Sequence, residues 1–196
     1  MKTRTIRCAV TMMSVMVAAS GCSQAADEPA VSSVRPSAVS SLAAGAPCPI
    51  TRPSDPIRPS PGLGDMIGTD PVRPVGLGAG AVLRFSVPSD SPGNPWPGSE
   101  WGGGKVIWAI APELAASVVI TGQQLDGTGA LRFGQANVPD LALELPAAPA
   151  GASDTPSRDG WRSFPSAVRL QQEGCYAFRI DTPTDNYTIV FTARRF

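Results

Sequence analysis

The sequence predicts an all-β domain, a small antiparallel β-sandwich, and three observations predict it. After residue 80 the chain is a succession of short runs with period-two alternation, such as "AVLRFSV", "KVIWAIA" and "NYTIVFTA", each marking a strand with one buried face. Turn residues separate these runs at the spacing of a two-sheet fold, as in "QQLDGTG" and "DTPTDN". No segment beyond the apolar amino-terminal run carries a capped helical stripe; "APELAAS" comes nearest, a turn or two behind Pro112.

The elements follow in order. "AVLRFSV" puts Leu83, Phe85 and Val87 on one face, and "KVIWAIA" does the same with Val106, Trp108 and Ile110. "ASVVITG" leads through the tight-turn pair Asp126-Gly127 toward "ALRFG". "LALEL", "SAVRLQ", "CYAFRID" and "NYTIVFTA" complete the set. In the last pair Tyr176, Phe178 and Ile180 share a face, as do Tyr187, Ile189 and Phe191, so an antiparallel hairpin with one buried face follows. Roughly six to eight such strands need a second layer to cover their apolar faces, which makes a two-sheet sandwich over residues 80–196 the natural arrangement.

Upstream of the domain the texture differs. "MKTRTIR" is a basic stretch, "AVTMMSVMVAA" an apolar run and "ASGC" a small-residue end, so residues 1–21 read as an export signal. The run is shorter than the roughly 20 apolar residues a membrane span needs. Ala19, Ser20 and Gly21 before Cys22 resemble the lipobox of bacterial lipoproteins. That resemblance implies cleavage before Cys22 and a diacylglycerol and palmitate anchor on it, which holds a protein stably on a membrane where one chain does not. The expected location is the extracytoplasmic face of a bacterial cell envelope, and the first partner is the membrane, through lipid on Cys22. Residues 22–47 are rich in Ser, Ala and Pro without aromatic residues, the composition of a disordered, flexible tether.

Residues 48–79 are rich in Pro and Gly, and "DPIRPSPGLG" recurs there as "DPVRPVGLG". Their X-Pro steps favour extended backbone, so this lead-in is read as an ordered loop or edge segment packed on the domain. "GLGAGAV" precedes a strand rather than following one and opening a helix, which removes the dinucleotide-loop reading.

Composition narrows the chemistry. Sixteen basic residues balance sixteen acidic ones, and Lys2, Arg4 and Arg7 lie in the signal, leaving thirteen against sixteen. Without a basic run or face, nucleic acid is not an expected partner. The chain has no histidine, so Ser/His/Asp and Cys/His catalysis and every histidine-containing metal site are absent. No cofactor is expected.

Of the four cysteines, Cys8 lies in the signal and Cys22 is claimed by lipid. Cys48 and Cys175 remain, in a chain bound for an oxidising compartment and without company for a metal or thiol site, so they are expected to form a disulfide. Cys175 has the opposite strand parity from Phe178 and Ile180, which suits a bond to a segment crossing outside the core.

Several stretches together, "CPITRP", "GKVIWAI", "VVITGQQLDG" and "FPSAVRLQQEGCYAF", resemble a family of bacterial envelope lipoproteins that is itself functionally uncharacterised. Tyr176 stands where relatives carry tryptophan, and "LRF" where they often show Leu-Trp-Val. The resemblance implies a lipid anchor, paired cysteines and an immunoglobulin-like sandwich, and it carries over no catalytic residue.

Three functional readings follow. The first is a non-catalytic binding or scaffolding module with an envelope protein or glycan as partner. Its leading surface is the loop "SDSPGNPWPGSEWGGGK", where Trp96 and Trp101 stand among Pro92, Pro95, Pro97 and Gly102 to Gly104; the same indoles would equally serve to cover the sandwich edge. The second is a carboxylate-dependent hydrolase, such as a cell-envelope glycosidase, using Glu100, Glu113, Asp126 or Glu144, although their spacing defines no pair. The third is calcium at Asp181 and Asp185, which one loop supplies poorly with the six or more oxygens required.

Overall fold

The structure is a computed structural model that describes residues 41–53, 65–86, 95–148 and 160–196. Cys22, the signal and most of the tether lie outside the described residues, as does Pro92. Among the described residues nine strands form: β1 Val72–Val75, β2 Val82–Phe85, β3 Gly102–Ile110, β4 Val118–Gln124, β5 Leu131–Phe133, β6 Leu143–Leu145, β7 Arg162–Leu170, β8 Gly174–Asp181 and β9 Asn186–Arg195. No helix occurs among the described residues, and the fold is all-β.

The strands make a four-stranded sheet, β1-β3-β7-β5, and a five-stranded sheet, β2-β9-β8-β4-β6. The alternating residues read from the sequence are the core: Leu83, Phe85, Val106, Trp108, Ile110, Tyr176, Phe178, Ile180, Ile189 and Phe191 are all buried in one cluster. The layers meet at Trp108 of β3 and Phe178 of β8, whose rings pack edge to face with centroids 4.9 Å apart, a geometry that favours the ring quadrupoles. The indole of Trp108 donates to Ser166 Oγ at 2.9 Å, so its polar edge is satisfied within the core.

Two features refine the sequence expectation. β1 lies before residue 80, inside the Pro/Gly-rich lead-in, and pairs antiparallel with β3 through Pro74 opposite Trp108. A strand with a proline is tolerated there because β1 is an edge. The second feature is that β2 pairs parallel with β9, the one parallel ladder among the described residues, whose other ladders are antiparallel. Parallel neighbours need a long crossover, and here nearly the whole domain intervenes between them.

Cys48 and Cys175 form a disulfide, with Cα atoms 5.5 Å apart and a sequence separation of 127. Cys175 belongs to a satellite cluster with Leu125 and Ala177, covered by Leu42, Cys48 and Val190. Residues 42–51 therefore lie over the outer face of the five-stranded sheet, fixed also by Leu42 N donating to Leu125 O at 2.7 Å and Thr51 N to Val190 O at 2.9 Å.

Candidate functional site

On the outer face of the four-stranded sheet, β7 is flanked by β5 only at Val168 to Leu170. Gly134 follows β5 with φ of 97°, a left-handed turn that suits glycine, and carries the chain away. Gly134 N still donates to Ala167 O at 3.0 Å, and beyond it, among the described residues, β7 has no partner on this edge at Pro165, where a proline fits because no ladder bond on that side needs its missing N–H. A cleft of about 430 Å³ opens at this place, lined by Pro95, Trp96, Lys105, Gln135, Pro165, Ser166 and Ala167.

Loop 95–101 makes one wall. Trp96 is buried rather than projecting, and it reaches the sheet because position 103 is glycine: a Cβ there would stand 2.6 Å from the indole. Its Nε1 donates to Gln135 Oε1 at 3.1 Å. Beneath the ring lies Arg169, its guanidinium carbon 4.1 Å from the ring centroid. Arg169 is fully buried, and its five N–H donors are all used: Nε to Gly102 O, Nη1 to Gly134 O and Ala136 O, and Nη2 to Ser99 Oγ and Trp101 O, at 2.8 to 3.3 Å. Burial lowers its pKa from the ordinary value, yet an arginine keeps its charge at neutral pH. The cation is held by carbonyl dipoles, with no carboxylate among these acceptors. Ser99 in turn donates to Asn137 O at 2.9 Å, joining loop 95–101 to loop 134–141.

Trp101 has a different fate from Trp96. It is partly exposed, with the Arg132 guanidinium 5.6 Å from its ring centroid. Nearby in sequence to the Asn137 contact, Val138 and Leu141 are 84% and 68% exposed, so the two joined loops display three large apolar side chains.

The acids take separate places. Asp126 accepts from Cys175 N and Gln124 Nε2, both at 2.9 Å, and so ties the β4–β5 turn to the disulfide strand. Glu100, Glu113 and Glu144 are exposed, in loop 95–101, in the β3–β4 connection and on β6. Asp181 pairs with Arg179 at 2.8 Å, and Asp185 Oδ1 accepts from Asn186 N at 2.7 Å within its turn. Among the described residues no three of His, Cys, Asp and Glu gather as metal ligands.

Sequence reasoning singled out Trp96 and Trp101 and missed Arg169, Lys105, Gln135 and Pro165. The usable signals were the triple glycine before Lys105, which admits a close neighbour, and the proline inside a strand run.

No family model matches the chain, and no curated protein matches it. One solved structure, a "Putative Lipoprotein from Bacillus anthracis", is similar with a TM-score of 0.43 and 11% identity over 76% of this chain and 88% of that one, a likeness too loose to carry an argument.

Proposed function

We propose that the chain is a lipid-anchored protein of the bacterial cell envelope whose folded domain acts by contact, as a binding or scaffolding module, and not by turnover. The observation that carries the contact reading is the surface of the two joined loops. Val138 and Leu141 stand exposed there and Trp101 partly so, on a base fixed by Ser99 and Arg169, and apolar side chains on a rigid base lose little entropy when a partner covers them. Turnover lacks matching support: histidine is absent, and Asp126 is engaged in holding the fold. The anchor is supported by the "ASGC" signal end and by the disulfide, which commits the two other cysteines downstream of the signal to each other.

Metabolic labelling with an alkyne fatty acid tests the anchor: the wild type takes up label and Cys22→Ala does not, whereas equal labelling would refute it. Capture of partners from the cognate envelope tests the contact reading; an activity screen showing turnover that disappears on changing Glu100, Glu113, Asp126 or Glu144 would overturn it.

A further inference from the structure

We infer that the cleft between Trp96 and Pro165 is a binding site for a small organic acid, one carboxylate on an apolar body, with Lys105 as the residue that receives the charge. This rests on the reading that the domain acts by binding, and it names a ligand class for a site separate from the exposed loop surface.

The volume, about 430 Å³, falls in the range of clefts that take small molecules. Its floor and one wall are apolar, from Ala167, Pro165, Pro95 and Trp96. A carboxylate is indicated by charge. Among the described residues Lys105 is exposed and forms no ion pair, and none of those that line the cleft is acidic. Lys105 pairs with Ala167 and Gly103 with Arg169 across β3 and β7, so Arg169 lies two residues from the cleft floor on the same face, about 7 Å along the strand. Its buried cation meets only neutral acceptors, and a charge with no counter-charge beside it adds to the positive potential that Lys105 presents.

The arrangement favours a single carboxylate over a phosphate, since phosphate sites offer a guanidinium fork or several backbone N–H groups. Here the Arg169 donors are consumed by protein, leaving one ammonium free to move on its stem. An apolar body is indicated by the prolines and the indole, which offer contact area, while Gln135 Oε1 and Ser166 Oγ already accept from the Trp96 and Trp108 indoles.

The test is a titration of the 15N-labelled full chain, read at the Trp96 indole N–H. That group bonds to a residue lining the cleft, and its resonance is assigned as the one missing from Trp96→Phe. Phenylacetate should shift it saturably. Phenylacetamide, the same body without charge, should bind about fivefold more weakly or less well still, the size of one exposed charge contact. Lys105→Gln should erase the difference between the two probes, and Lys105→Arg should keep it; the exposed position makes both variants safe for folding. Equal binding of acid and amide, no shift at this resonance, or an undiminished preference in Lys105→Gln would each overturn the inference. A shift given by N-acetylmuramate and not by phenylacetate would overturn the apolar body in favour of a glycan. Because purified chain and simple acids are used, failure here leaves capture of a partner by the Trp101 surface standing, and failure of that capture leaves this titration standing.

Discussion

The guanidinium of Arg169 lies beneath the indole of Trp96, its central carbon 4.1 Å from the ring centroid, and it is the hub that ties loop 95–101 and loop 134–136 to β7. Lysine cannot replace it, since one ammonium cannot reach acceptors set around a planar five-donor fork. Arg169→Lys should therefore lower stability by about 2 to 3 kcal/mol, the cost of leaving buried carbonyls and Ser99 without donors. Urea unfolding measures this, and an unchanged midpoint would show the hub to be dispensable.

The clasp between Cys48 and Cys175 closes a long loop, for which chain entropy gives about 4 to 5 kcal/mol at most. Cys175→Ser should lower the unfolding free energy markedly. Adding Cys48→Ser to it should cost little more, because the two act as one unit. Intact mass before and after reduction and alkylation checks the bond itself; two reactive thiols in the unreduced, denatured chain would disprove it.

Both tyrosines should make the fold sensitive to alkali. Burial, then the nearby Asp126 charge, pushes the Tyr176 phenol above its ordinary pKa, and burial does the same for Tyr187, whose hydroxyl bonds to Val72. A raised folded pKa means that the unfolded chain releases these protons first, so the stability is whole below about pH 10 and falls above it. Melting temperature should drop as pH rises beyond 10, and phenolate absorbance should appear only as the fold is lost. Phenolate formation in a still-folded protein near pH 10 would contradict the burial.

What was legible in the sequence was the part governed by local alternation. The inward residues of β2, β3, β8 and β9 follow from parity, and the clasp follows from the arithmetic of the cysteines. β1 was legible only as an ordered loop or edge segment, because "VRPV" has a proline in a proline-rich stretch, and only the sheet shows that it pairs as a strand. Arg169 was illegible for another reason. On β7 it falls at an outward position like any solvated strand arginine, and what buries it comes from residues 95–101 and 134–136, far away in sequence. The same distance decides the fates of the two loop tryptophans, one seated on Gly103 and one left at the surface.

The central claim is that the exposed loop surface makes contact with a partner, and capture from the cognate envelope by purified wild type and by Trp101→Ala tests it most directly. Trp101 is partly exposed, so its truncation should leave the melting temperature within a few degrees while partner affinity falls by about 2 kcal/mol, roughly thirtyfold. A variant that captures as well as the wild type but melts well below it would show the indole to be packing and the contact surface to be misassigned.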